Sequence, residues 1–301
     1  MATDQETGSP RSHGALDGSA NEAVFALTSV PVRILTLALG AERIPRSGEE
    51  YKTDELWHGH AYSTENPDAN DIPVFVRLAN PMPVAAELLC SVIGRALGLP
   101  VPEPFAIHLA SGALPGSKML PAAGTVAFAS HDIGGTAFNQ LLNKDSPTAH
   151  AMLAKWSHLV PIATFDEWLA NPDRNLGNII FASNVLWIID HAEAFGGSEA
   201  EMFGLATCTT TTFANQLGIQ LAELSSEVRI EKLEACRTWI EMTASKLDIG
   251  NAIACADIAR WQNEERRSEL LSFITTRLTL THSFLCNRLG HPQLKLSSAA
   301  A

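Results

Sequence analysis

Apolar spacing divides this chain into a strand-bearing first half and a helical second half. Val74-Phe75-Val76-Arg77-Leu78 is dense in β-branched and aromatic residues and reads as a strand. Asn80-Pro81-Met82-Pro83 stops it, because proline cannot continue a ladder. Residues 84–97 then read as a helix, with Pro83 in the tolerant first turn, Leu88, Val92 and Ala96 at helical spacing, and Gly98 as the stop. Residues 30–39 begin strand-like. Residues 40–70 are polar, with Trp57, Gly59 and Tyr62 interspersed as in a meander of short strands, and 105–109 and 124–129 give two more strands. Pro100, Pro102 and Pro104 fix an extended linker between them.

Beyond Ser130 the period becomes helical. Residues 148–168 form a long periodic stretch that Pro161 divides into two helices or kinks. Two short apolar runs, 178–181 and 186–189, flank a turn at Ala182-Ser183-Asn184 and read as a hairpin. Residues 196–213 look irregular, 216–246 hold one or two helices, and a last helix spans 263–289 with Leu271, Ile274, Leu278, Leu285 and Leu289 on one face. The expected division is a tail at 1–22, a mixed unit at 23–130, a helical unit at 131–290 and a second tail at 291–301.

Composition narrows the partners. With 21 Lys and Arg against 33 Asp and Glu, the formal charge is −12, a poor match for a phosphate backbone, so direct nucleic-acid binding is not expected. Apolar residues at 46% and charged residues at 18% are a globular mixture, and no apolar run reaches the length of a membrane span. Cys90, Cys208, Cys236, Cys255 and Cys286 are scattered, with no C-x-x-C pair, which points to reduced, buried thiols in a cytoplasmic protein rather than a zinc site. Any anionic ligand must meet local neutralisation by a metal, backbone amides or a few placed cations.

The densest chemistry lies at Asn171-Pro172-Asp173-Arg174-Asn175-Leu176-Gly177-Asn178, followed by the hairpin that ends at Asp190. Asp173, Asn178 and Asp190 stand in the order that phosphoryl transfer requires: Asp173 to accept or orient the acceptor hydroxyl proton, Asn178 and Asp190 to ligate Mg²⁺ through hard oxygen donors. The competing reading is an ordinary polar turn, since Asn, Asp, Gly and Pro are turn residues. Asp190 weighs against it, because a carboxylate set within Trp187-Ile188-Ile189-Asp190-His191-Ala192 is costly unless paired or metal-bound. Upstream, Arg77 on its strand and Glu87 on the next helix are either a cation aimed at nucleotide phosphates by its carboxylate partner, or an exposed strand residue and a solvated helix residue. His191 is a neighbour of the metal site or a filler, His131-Asp132 a ribose contact or a cap, Asp166 a partner for loop amides, and Arg174 a solvated side chain or a partner of Asp190 or a phosphate.

Five blocks, Phe75-Val76-Arg77-Leu78, Ala85-Ala86-Glu87-Leu88-Leu89, Ala96-Leu97-Gly98-Leu99-Pro100-Val101-Pro102, the loop at 165–178 and Leu186-Trp187-Ile188-Ile189-Asp190-His191-Ala192, together resemble the HipA-like kinase family, over residues 74–195. The resemblance implies an α+β, bilobal protein-kinase-like fold with a small mixed N-lobe, a mainly helical C-lobe and ATP between them. It implies Asp173 as catalytic aspartate, Asn178 and Asp190 as Mg²⁺ ligands, Glu87 as partner of the phosphate-binding base, and backbone groups of Phe128, Ala129 and Ser130 against adenine. The family usually carries lysine where Arg77 stands, a swap that is not conservative at a phosphate clamp. No glycine-rich phosphate loop is evident either: Gly59 is the only glycine near Trp57 and Tyr62, and residues 112–118 do not fit a P-loop. The expected activity is ATP- and Mg²⁺-dependent transfer to a protein Ser/Thr hydroxyl or a small-molecule alcohol. Arg77 and the missing loop favour a second reading, a nucleotide-binding pseudokinase that regulates a partner protein. A third, a metal-dependent hydrolase using Asp173, Asp190 and His191, has too few histidines for a hydrolytic zinc.

Overall fold

The computed structural model describes residues 27, 29–46, 54–65, 71–119, 125–213 and 215–290; both expected tails lie outside them. Its first half is a sheet of β1 (Arg33–Leu37), β2 (Glu42–Arg43), β3 (Glu55–Tyr62), β4 (Ile72–Leu78), β5 (Pro104–His108) and β6 (Val126–His131), in the order β1-β5-β6-β4-β3-β2. Strand β1 also pairs with β3, through Thr36↔Tyr62 and Leu37↔Ala61, so five of the strands close into a ring. Side chains alternate across each strand, and the inward set fills that ring: Leu35, Leu37, Trp57, Ala61, Val74, Val76, Phe105, Ile107, Ala127 and Ala129 form one buried cluster. Gly59 leaves room in that filling, since a Cβ there would meet the Ala41 Cβ at 3.0 Å and Leu37 at 3.4 Å. Of the expected meander at 40–70, the described residues carry the two-residue β2 and the long strand β3, while 47–53 and 66–70 lie outside them.

Helix α1 (Pro81–Ala96) packs on the outside of this ring, buried continuously from Val84 to Gly94. It begins earlier than Val84, because the first-turn positions need no N–H donor and accept both Pro81 and Pro83. Gly98 ends it at φ +72°, with the Leu99 N–H bonded back to the Gly94 carbonyl. Phe128, on the outward face of β6, joins the core around α1 rather than the ring interior.

The second half adds β7 (Thr136–Ala137), α2 (Phe138–Lys144), α3 (Ser146–Lys155), α4 (Leu159–Trp168), the hairpin β8 (Ile179–Ala182) and β9 (Val185–Ile188), α5 (Gly197–Phe203), α6 (Leu205–Cys208), α7 (Gln216–Ala222), α8 (Ser226–Met242), α9 (Ile249–Cys255) and α10 (Glu264–Arg288). Strands β7, β8 and β9 form a separate three-stranded sheet. The stretch at 148–168 is indeed two helices, but the break falls at Trp156, and Pro161 sits harmlessly in the first turn of α4. Residues 196–213, expected to be irregular, carry α5 and α6, helices too short to show a period. On α10 the buried residues are Leu270, Phe273, Ile274, Arg277, Thr281, Phe284, Leu285 and Cys286; Leu271 is 40% exposed, one position off that stripe. No helix among the described residues is long and apolar enough to cross a membrane, and all five cysteines are buried and unpaired.

One arginine ties α10 to α4. Arg277 is fully buried and donates to the Glu167 carbonyl (2.6 Å), Trp168 carbonyl (2.9 Å), Cys208 carbonyl (2.9 Å) and Thr211 carbonyl (2.8 Å). The rings of Phe213, Phe273 and Phe284 surround its guanidinium. Burial pushes its pKa down to about 10, with Glu167 pulling the other way, so it stays charged at neutral pH. The last carbonyls of a helix have no partner within it; here Arg277 takes those of Glu167 and Trp168, and just beyond α4 the Phe195 and Gly196 N–H groups take those of Leu169 and Ala170 at 2.7 and 3.0 Å. Replacing Arg277 with alanine is expected to destabilise the fold by about 3–5 kcal/mol, the usual result of stripping one partner from a buried charged network; chemical denaturation of wild type and variant checks it.

Candidate active site

Between the outer face of the ring, α1 and the β8–β9 hairpin lies a cleft of about 580 Å³. Leu56, Phe75, Arg77, Phe128 and Ser130 line it from the strands, Glu87 and Ser91 from α1, and Asn178, Ile180, Ile188, Asp190 and His191 from the hairpin side. The strand period explains the first group: Val74, Val76 and Leu78 point inward, so Phe75 and Arg77 point out.

Arg77 meets three carboxylates with three different nitrogens. Its Nη1 is 3.0 Å from Asp54 Oδ2, its Nε 3.4 Å from Glu87 Oε1 and its Nη2 2.8 Å from Asp190 Oδ1. Only the planar guanidinium fork spans three acceptors this way; an ammonium presents one nitrogen. Glu87, 2% exposed, is held from its other oxygen by the His191 backbone N–H at 2.9 Å. Burial pushes its carboxyl up, but Arg77 and the bonds from His191 outweigh that and hold it below the ordinary glutamate range. Asp54 is the hub for a second cation: Arg46 donates to Asp54 Oδ1 at 2.7 Å, Oδ2 at 3.1 Å and the backbone carbonyl at 2.8 Å.

The 171–178 loop is built on a buried ion pair. Asp166 near the end of α4 accepts from Arg174 Nε (3.0 Å), Arg174 Nη2 (3.3 Å) and Asn171 Nδ2 (3.0 Å), and both charged side chains are fully enclosed. From there Arg174 Nη1 donates to the Asn178 carbonyl at 3.1 Å and to the Ile189 carbonyl. Asn178 and Ile189 are joined directly as well, the Ile189 N–H bonding the Asn178 carbonyl at 3.1 Å. One arginine thereby fixes the backbone on either side of the two residues that line the cleft. Asn178 donates its Nδ2 to the Asp173 carbonyl (2.8 Å) and to Asp173 Oδ2 (3.2 Å), which leaves its Oδ1 as the free acceptor. Asp190 stands at φ 60°, a left-handed conformation that costs most residues but that Asp tolerates.

The structure therefore brings Arg77, Glu87, Asn178 and Asp190 to one cleft, with exposed Asp173 bonded to Asn178 at its rim. Phe128 and Ser130 offer side chains to the same wall; Ala129 does not, because it faces the ring interior. The backbone of Phe128, Ala129 and Ser130 is also unavailable to a ligand, since β6 is paired with β4 on one edge and with β5 on the other through Ser130. The chain leaves the sheet only after His131, so Asp132, Ile133, Gly134 and Gly135 are the lining residues beyond the strand. Arg174 is neither solvated nor paired with Asp190, and Asp166 holds Arg174 and the Asn171 side chain rather than loop amides. His191 is 1% exposed, its Nε2 without a partner among the described residues. Asp132 closes a turn by accepting from the Gly134 N–H at 2.7 Å and meets His58 Nε2 at 2.9 Å. Arg46 and Asp54 went unforeseen, because they sit in a polar stretch with no period to place them.

Because Glu87 titrates lower in the folded chain than in the unfolded one, its ionised form contributes stability above the ordinary value of 4.5. That contribution is lost as pH falls through its depressed folded value. Glu87→Gln is expected to be less stable than wild type near neutrality, with the difference shrinking on acidification; denaturation midpoints measured from about pH 7 to about pH 3 test the sign.

Comparison with known proteins adds family information. The HipA-like kinase family model matches residues 76–206. Among solved structures the chain is similar to the Helicobacter pylori proinflammatory kinase CtkA, at 11% identity and a TM-score of 0.49, over 85% of this chain and 99% of that one. No curated protein matches. The matched segment contains Arg77, Glu87, the 171–178 loop and Asp190, and by that match this part of the chain is similar to the HipA-like kinases.

Proposed function

We propose that the protein is an ATP- and Mg²⁺-dependent phosphotransferase of HipA-like type, acting on a Ser/Thr hydroxyl of a protein or on a small-molecule alcohol. One observation carries this reading: Arg77, Asn178 and Asp190 line a single cleft, with Asp173 bonded to Asn178 at its edge. In this reading the fold is bilobal, residues 23–130 forming the smaller lobe and 131–290 the helical one, with the cleft between them. The five buried free cysteines suit a reducing, cytoplasmic setting.

The donor set fits Mg²⁺. Asn178 Oδ1 and the Asp190 carboxylate are hard oxygens, and Mg²⁺ commonly takes one or two protein ligands and fills the rest with phosphates and water. When bound, the ion would neutralise charge on the transferring phosphates. The protein's own part is positioning. Arg77, aimed by Glu87, sets a fixed positive charge for the phosphates; Phe75, Phe128 and Ile188 offer an apolar wall for the base. Asp173 accepts the proton from the acceptor hydroxyl as its oxygen attacks the terminal phosphorus and the bond to ADP breaks.

Asp173→Asn is expected to lower kcat by about 10²- to 10⁴-fold, the usual worth of a positioned base, while leaving Mg-ATP affinity unchanged. Asp190→Ala is expected to abolish the Mg²⁺ dependence of ATP binding. Calorimetric titration and phosphate-transfer assays read both, and wild type that binds no Mg-ATP defeats the proposal.

The pseudokinase reading has one specific observation in its favour: Asp190, the proposed metal ligand, is engaged by an arginine at 2.8 Å where the family usually has lysine. Thermal shift with ATP and a turnover assay on wild type and Arg77→Lys separate the two: ATP stabilisation without turnover is the pseudokinase outcome, and phosphate transfer by wild type removes that reading.

A further inference from the structure

From the arrangement around Asp54 we infer that Arg46 is a second phosphate-binding cation, yoked to Arg77 and standing in for the glycine-rich loop that the sequence lacks. The inference rests on the nucleotide reading of the cleft and specifies which residues meet its anionic end.

Two guanidiniums, Arg46 and Arg77, line the cleft, and no lysine does among the described residues. Asp54 Oδ2 accepts from both of them, from Arg46 Nη1 at 3.1 Å and Arg77 Nη1 at 3.0 Å. One carboxylate oxygen thus holds two like charges side by side that would otherwise repel. The pairing is geometrically strict on the Arg46 side, because Asp54 takes three bonds from it, two to the carboxylate and one to the carbonyl. The Arg46 Nε–H has no acceptor among the described residues and is buried. The Arg46 side chain is 17% exposed and lines the same cleft as Arg77.

The charge balance points the same way. Asp54, Glu87 and Asp190 surround Arg77 alone with three negative charges, a poor receptor for a polyphosphate. Arg46 offsets one of them, and a divalent ion on Asp190 would offset another. A glycine-rich loop binds phosphates with backbone N–H groups; a rigidly held arginine fork performs the same task with charged donors matched to phosphate oxygens. A merely structural Arg46, tied to Asp54 just before β3, predicts no difference between ligands with and without phosphates.

The test is calorimetric titration of the full chain with Mg-ATP and, separately, with adenosine. Arg46→Gln is expected to weaken Mg-ATP by about ten- to a hundredfold, the worth of a charge-assisted hydrogen bond, and to leave adenosine affinity unchanged. Equal Mg-ATP affinity in wild type and variant overturns the role of Arg46, as does an equal loss for adenosine. If Arg46→Gln does not fold, Arg46→Lys, which keeps the charge and loses the fork, is read on the same two ligands with the same criteria. Wild type that binds adenosine but not Mg-ATP overturns the phosphate role alone; wild type that binds neither removes the nucleotide reading itself.

Discussion

The Asp166–Arg174 pair is the constraint on which the site depends. Two opposite charges are fully enclosed, and such burial is tolerated only when each charge is matched and the remaining donors are used. Arg174 uses them on the carbonyls of Asn178 and Ile189. Both carbonyls belong to the backbone immediately at or before a cleft-lining side chain. The pair therefore does not touch the cleft, yet it sets the separation of Asn178 and Asp190. The Ile189 N–H bond to the Asn178 carbonyl joins the same two segments, and Arg174 adds a second, charged tie across them.

The same economy recurs one layer out. Helix α4 delivers Asp166; its last carbonyls are satisfied by Arg277 from α10, and those just beyond it by the N–H groups of Phe195 and Gly196. The segment after Asp190 thus returns to cap the helix that positions the loop before it. On the opposite wall, the closed ring of strands gives Arg77 a rigid base, and α1, buried along most of its length, brings Glu87 to it. His191 then links the walls: its backbone N–H bonds Glu87 while the preceding residue, Asp190, bonds Arg77. Arg77, Glu87, Asp190 and His191, from three segments, are thereby linked through ion pairs and one backbone hydrogen bond.

Much of this was legible in the residues. The β-branched and aromatic residues at 74–78 marked a strand, and the prolines and glycine bounded α1. The loop at 171–178 and the hairpin after it declared themselves by turn residues followed by apolar runs. Less legible were the short helices α5, α6 and α9, which span too few turns to display a period, and the buried stripe of α10, where Arg277 and Thr281 hide among apolar neighbours. Ala129 illustrates the limit at the site itself: membership of the strand was clear, but its facing depends on the pairing of β6 with both neighbours.

By itself the sequence determined local matters, because strand alternation, helix caps and turn chemistry act between residues a few positions apart. It also marked Asp173, Asn178 and Asp190 as polar groups in unusual company. Only the tertiary structure decided that Arg174 is buried on Asp166, that Asp54 bridges Arg46 to Arg77, and that the strands close into a ring. Each of these joins residues whose meeting depends on how whole elements pack. A charge reads as solvated in sequence because most charges are; whether it is enclosed is settled by what folds over it.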